Sequence, residues 1–228
     1  DLAMMLGMVE YSDAHNAYMA TAYPKKKIVN TLGAWVAAHG LTQFRLAETE
    51  KYPHVTFFLN GGKEVAEPQE DRFMPKSPKV ATYDMQPEMS AGEVTEKFLA
   101  AIDHGYDLIV TNYANPDMVG HTGILEAAVK AAECLDSCLG RLEGAVQDAG
   151  GVLLVTADHG NCERMMDTEN NHPHTAHTMN LVPVVMANPP DWVKGLRNGR
   201  LSDVAPTILK LLGLPLPEEM TGQSLIET

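Results

Sequence analysis

Apolar and polar residues change their period several times along this chain, and the changes mark out an alternation of strands and helices. Ile28, Leu32, Trp35 and Val36 recur at helical spacing over residues 28–38, and Gly40 ends the run. Residues 44–47 read as a short strand, and residues 55–59 as another that closes on Asn60-Gly61-Gly62. Prolines and charges fill residues 63–89, which predicts an extended excursion over the surface. Ser90-Ala91-Gly92-Glu93 has the spacing of a capping box and predicts a helix to about His104.

The pattern is cleaner further on. Residues 108–111 form an apolar strand that runs into Asn112-Tyr113-Ala114-Asn115-Pro116-Asp117. A long helix follows, with Leu125, Val129, Ala132, Leu135, Leu139, Leu142 and Val146 as its apolar stripe, and Gly150-Gly151 ends it. Residues 152–156 predict a second buried strand leading into Asp158-His159, and residues 182–187 a third. Residues 202–212 predict a last helix, with Ser202 as its N-cap and Gly213 past its end. This order implies an α/β fold, a mainly parallel sheet with helices on both faces. Residues 1–25, rich in Met, Ala and Tyr, do not fit the alternation and are assigned to a different module from residues 26–228.

Composition narrows the range of partners. The net charge of −13 over 228 residues argues against nucleic acid or an anionic membrane as the main partner. An anionic substrate must then be drawn in locally, by metal ions and a few Lys or Arg. Cys134, Cys138 and Cys162 are odd in number, and the first two sit one helical turn apart. Core packing in a reducing cytoplasm is the expected reading. No apolar run reaches the roughly 18 residues of a membrane span. The chain opens at Asp1 inside apolar sequence (Leu2-Ala3-Met4-Met5-Leu6), which suggests a processed end or a piece of a longer protein. Lys25-Lys26-Lys27 reads as a solvated connector.

Chemistry concentrates in three short motifs. Asp117 and His121 are four apart, so a helical turn after Pro116 puts both on one face, able to chelate one ion. Such a pair often arises by chance, and alone it reads better as a helix-start Asp and a surface His. Asp158-His159 directly follows an apolar strand and precedes Gly160, a position hard to explain by packing. His177 competes with His172 and His174 in one polar loop, and it is favoured because it precedes the segment entering the third strand. Carboxylate and imidazole without cysteine suit a divalent metal of intermediate hardness. One ion needs about four to six ligands, so five residues suffice for one site and part of a second. Binding needs neutral imidazoles and should weaken below about pH 6. Asp117 and Asp158 both lie beyond strand carboxyl ends, where open α/β sheets place ligands. Lys51 follows a strand and reads as a surface lysine or as a point charge for phosphoryl oxygens. Met118, Met165 and Met166 read as packing.

Assembled, these motifs closely resemble the cofactor-independent phosphoglycerate mutases of the alkaline phosphatase superfamily. The matching segments are residues 45–58, 77–84, 86–91, 112–123, 156–161, 175–178, 203–207 and 219–222. The resemblance implies an alkaline-phosphatase-like sheet whose N-terminal part is missing. It also implies interconversion of 3-phosphoglycerate and 2-phosphoglycerate through a phosphoserine, with two manganese ions and no bisphosphoglycerate. Magnesium, cobalt and zinc tolerate the same donors. By motif, Asp117, His121 and His177 look like ligands of one metal, Asp158 and His159 like part of the other, and Lys51 like the phosphate-contacting lysine. The family's nucleophilic serine motif is absent, and Ser137 and Ser202 are poor substitutes. The chain is thus expected to be a C-terminal portion: a transferase-domain tail over residues 1–25, then the larger part of the metal-binding phosphatase domain. It should be inactive without its N-terminal part. A stand-alone metallophosphatase or related phosphomutase, and a non-catalytic metal-binding module, are the competing readings.

Overall fold

The computed structural model describes residues 4–24 and 26–228. Asp1, Leu2 and Ala3 of the chain start, and Lys25 of the lysine connector, lie outside the described residues. The centre is a three-stranded sheet in the order β4-β3-β5, all parallel, where β3 is Gln43–Ala47, β4 is Glu70–Phe73 and β5 is Leu108–Asn112. Before it come β1 (Leu6–Val9), α1 (Asp13–Asn16), β2 (Ala20–Tyr23) and α2 (Leu32–Ala38), and α3 (Tyr52–Val55) follows β3. α4 (Ala91–His104) precedes β5, and α5 (Asn115–Gly120) and α6 (Leu125–Asp148) follow it. β6 (Leu153–Thr156), β7 (Met166–Asp167), β8 (His172–Pro173), β9 (Val184–Ala187), β10 (Gly195–Leu196), α7 (Val204–Leu211) and β11 (Ile226–Glu227) complete the order.

Side-chain alternation in β3 and β5 explains the two helical layers. Phe44, Leu46 and Ile109 point to one face and pack with Val94 and Phe98 of α4 and Leu142 and Val146 of α6. Leu108 and Val110 point to the other, against Leu32 and Val36 of α2 and Leu209 of α7. Apolar side chains on both faces require cover on both, so the α/β expectation holds. Residues 4–24 are different: β1 and β2 pair in parallel, yet Gly7 is the single buried residue among them. Met4, Met8, Tyr11 and Tyr23 are all more than 60% exposed, so this segment has no core of its own.

Several expectations need correction. Residues 55–59 are not a strand. α3 and the turns after it carry the chain from Tyr52 to Gly62, with Phe58 N–H donating to Pro53 O and Asn60 N–H to Thr56 O, both at 2.9 Å. Lys51, Val55, Thr56 and Asn60 are the buried positions, a helical rather than alternating spacing. Pro53, preorganised for a first helical turn, overrides the strand propensity of the apolar run. Within residues 63–89 lies β4, missed because Glu70-Asp71-Arg72 carries no apolar signal; Glu70 is nevertheless buried and bonds Arg72 and Asn60.

The capping box at Ser90 does not form, since its hydroxyl donates to the Lys76 carbonyl at 2.7 Å. The buried stripe of α6 is Ala127, Ala128, Ala131, Cys138, Leu142 and Val146, whereas Leu125 and Val129 are exposed. Ser202 is not an N-cap. It lies in a 3₁₀ turn, Leu201–Asp203, and Asp203 instead accepts from the backbone N–H of Arg200 and Gln223 at 2.9 and 2.8 Å. The third strand is confined to β9 and runs antiparallel to β6, because the chain between them returns by a loop without a crossover helix.

Candidate metal centre

Three separate segments meet beyond the carboxyl ends of β5 and β6. Pro116 starts α5 and fixes a helical turn, which puts Asp117 and His121 on one face, with His121 Nε2 3.1 Å from Asp117 Oδ1. The loop before β9 brings His177 Nε2 to 3.0 Å from the same oxygen and 3.1 Å from His121 Nε2. The ligand atoms of Asp117, His121 and His177 all lie within 4.8 Å of one another. His121 Nδ1 is 2.7 Å from the Thr175 carbonyl, which can only accept, so Nδ1 carries the proton and the neutral ring presents a lone pair at Nε2. Two imidazole nitrogens and a carboxylate oxygen aimed at one point suit a divalent cation.

Asp158 and His159 stand beside this group rather than in it. Their side chains are 3.6 Å apart (Nε2 to Oδ2), and the His159 ring stacks on His177 with centroids 3.7 Å apart. Asp158 is more than half exposed. Lys51, at the start of α3, is buried and donates to Asp117 Oδ2. His172 is near Asp167, with 3.7 Å between Nε2 and Oδ2, in the hairpin that β7 and β8 form. His174 presents a buried Nε2 without a hydrogen-bond partner among the described residues.

Charge in this region is set by neighbours. Burial alone would raise the pKa of Asp117, but hydrogen bonds from Lys51 and Asn161 and the Lys51 charge hold it at about 2. The group is therefore anionic at any working pH. His54, on the outer side of α3, is pushed below the usual histidine range by burial and then by the Lys51 cation. Burial, with Glu163 nearby, pushes the Cys162 thiol up, so it stays protonated.

Two contributors escaped the sequence reading. Asn161 is buried, and its Nδ2 donates to Asp117 Oδ1 at 2.8 Å and to the Asp117 carbonyl at 3.2 Å. Glu163 accepts from Thr178 Oγ1 and from Asn180 Nδ2. Neither has a distinctive spacing. Their only signal is proximity to the Asp158-His159-Gly160 motif.

Comparison with known proteins agrees with this chemistry. A family profile described as "Metalloenzyme: Metalloenzyme superfamily" matches residues 9–216. The chain belongs to the metalloenzyme superfamily. Within the superfamily it is similar to the 2,3-bisphosphoglycerate-independent phosphoglycerate mutase of Ruegeria pomeroyi, 73% identical over 225 residues. The alignment covers 99% of this chain and 44% of that protein. The enzyme of the same name from Agrobacterium fabrum is 67% identical over 226 residues, 99% of this chain and 45% of its own length. Among solved structures, a crystal structure of Leishmania mexicana phosphoglycerate mutase at low cobalt concentration superposes with a TM-score of 0.85 at 32% identity. That match covers 98% of this chain and 44% of the Leishmania chain. The chain thus spans less than half the length of the curated relatives it matches. Among the described residues, no helix is long and apolar enough to cross a membrane.

Proposed function

We propose that this chain is the C-terminal portion of a cofactor-independent phosphoglycerate mutase, which interconverts 3-phosphoglycerate and 2-phosphoglycerate through a phosphoserine without bisphosphoglycerate. The observation that carries the reading is the meeting of Asp117, His121 and His177 at one point, with Lys51 on the far oxygen of the same carboxylate. Residues 1–25 are then the tail of a transferase domain, and residues 26–228 most of the metal-binding domain. The coreless β1–β2 pair supports this division, since a sheet so exposed needs a partner.

Asp117, His121 and His177 would hold one ion, and Asp158 with His159 part of a second. Manganese is the proposed metal; magnesium, cobalt and zinc suit the same donors. When bound, the ions supply positive charge that favours an ionised hydroxyl nucleophile and offsets phosphoryl oxygens. Lys51 adds a fixed ammonium, already desolvated by burial and oriented by Asp117, which would hold a phosphoryl oxygen as charge develops on it. His121, kept in one tautomer by Thr175, needs no reorganisation to offer Nε2.

The nucleophilic serine belongs to the remainder of the protein in this reading. Ser137 is inside α6 and Ser202 in the 3₁₀ turn before α7, and neither belongs to the loops that carry the candidate ligands. Among the described residues β5 pairs only with β3 and β6 only with β9, so each keeps a free edge, and both strands lead into the site loops. A strand from the remaining chain would fit there. Three free thiols fit a reducing cytoplasm, the compartment proposed for this glycolytic step.

The test is a mutase assay on purified chain 1–228 beside the full-length protein, both with manganese. The chain should bind the metal yet leave 3-phosphoglycerate unchanged, while the full-length protein converts it. Conversion by the chain alone at the full-length rate overturns the fragment reading, and metal-dependent hydrolysis of a chromogenic phosphate ester would favour a stand-alone phosphatase.

A further inference from the structure

The loop that carries His177 has little apolar anchorage. Met179 and Leu181, the large apolar residues just after it, are 100% and 99% exposed. What fixes the loop is polar. Thr178 N–H donates to the Gly160 carbonyl at 2.9 Å, forming an isolated bridge between the two residues. The Glu163 carboxylate accepts from the Thr178 hydroxyl, and the same oxygen accepts from the Asn180 amide at 2.9 Å. A Cβ on Gly160 would collide with both the Glu163 carboxylate and the Thr178 hydroxyl, so the packing of this clamp requires glycine there.

The same turn also grips the other ligand-bearing segment. Asn161 holds Asp117 through side chain and backbone, and a Cβ on Gly120 would strike the Asn161 amide. One turn, residues 160–163, therefore joins the Asp158-His159 loop to α5 on one side and to the His177 loop on the other. Asn161 serves the buried side and Glu163 the exposed side.

We propose that Glu163 is a positioning residue for the metal centre: through Thr178 and Asn180 it sets His177 against Asp117 and His121. The inference rests on the metal-binding reading of those three residues. It goes beyond that reading by assigning to an exposed carboxylate, which touches none of the three ligand side chains, control over the ligand that the fold holds least firmly. The physical basis is that an imidazole on a solvent-exposed loop samples many positions unless bonds on its neighbours restrict it. Losing the partner bonded to a ligating side chain typically weakens metal affinity about 10–100-fold, and a clamp on the ligand's neighbours acts on the same position at one remove.

The experiment titrates cobalt(II) into chain 1–228, reading its visible absorption as a report of coordination geometry and a competing chelator for affinity. Glu163→Ala should bind cobalt about 10–100-fold more weakly, with an altered spectrum. Its metal-free unfolding midpoint should match that of the parent, because the clamp lies outside the packed core. Glu163→Gln keeps an acceptor oxygen for Thr178 and Asn180 and should restore most of the affinity. His177→Ala serves as the control for the centre itself. If the parent binds cobalt through His177 while Glu163→Ala binds equally tightly with an unchanged spectrum, the positioning role is overturned and the metal centre stands. A Gln variant as weak as the Ala variant also overturns it. A parent chain that takes up no cobalt overturns the metal centre and this inference together.

Discussion

Lys51 donates to Oδ2 of Asp117, while Asn161 Nδ2 and the Nε2 atoms of His121 and His177 all face Oδ1. One carboxylate thus presents its two oxygens to two different environments, an ammonium and a cluster of ring nitrogens. The division fixes the rotation of the side chain and leaves Oδ1 directed at the candidate metal position.

Lys51→Met should separate these two roles. Mn²⁺ binding to chain 1–228 should weaken about 10–100-fold, because Asp117 loses the partner that holds its rotation while the three ligand atoms remain, and on the mutase reading the full-length protein should lose at least about 100-fold in turnover at saturating metal. The substitution should also alter the acid response of folding. Asp117 has a folded value of about 2 against an ordinary 3.8, so its contribution to stability is complete above 3.8 and is lost as the pH falls towards 2. Thermal unfolding of Lys51→Met between pH 4 and pH 2 should therefore show a shallower decline than the parent.

His177→Ala and Asp117→Asn each remove a donor atom rather than a support. Both should reduce manganese affinity beyond the roughly 10–100-fold expected for a lost supporting bond. Equilibrium dialysis with metal analysis measures this directly. Retention of full metal content by either variant would contradict the site.

Glu48 provides a pH effect of the opposite sign. It is fully buried at the end of β3, and burial raises its pKa above 4.5 even though a hydrogen bond from the Ser90 backbone N–H works against the shift. The folded state holds this proton more tightly than the unfolded chain, so the contribution is fully present below pH 4.5 and is lost as the pH rises through the folded value. Glu48→Gln, uncharged at every pH, should remove that part of the decline. Unfolding midpoints measured from pH 4.5 to pH 7 should be flatter for the variant than for the parent.

Two residues of α6 allow a packing test. Leu142 is 1% exposed against Phe44, Leu46 and Phe98, whereas Val129 is 48% exposed. Leu142→Ala should cost about 2–5 kcal/mol in denaturant unfolding. Val129→Ala should change stability by less than about 0.5 kcal/mol. Equal costs would mean that Val129 is covered in the protein in solution.

The sequence alone determined the strands, helices and ligand-bearing loops wherever local signals agreed. β3, β5, β6 and α6 were legible because apolar runs and a helical period ending at Gly150 mark them, and α4 because of its Ser90-to-Glu93 spacing, although the capping box itself does not form. Asp117, His121, Asp158, His159 and His177 were legible as candidates because strand-end positions expose chemistry. Tertiary structure decided the rest. It made α3 from a strand-like run and built β4 from charged residues, because pairing with β3 satisfies backbone groups that side-chain polarity does not reveal. It also chose which face of α6 is buried, through contacts with α4 and α5 that no local period specifies. Above all it brought residues 51, 117, 121, 161, 163 and 177 together. Their proximity depends on four separate segments folding to one place, and distances across the chain leave no trace in local sequence.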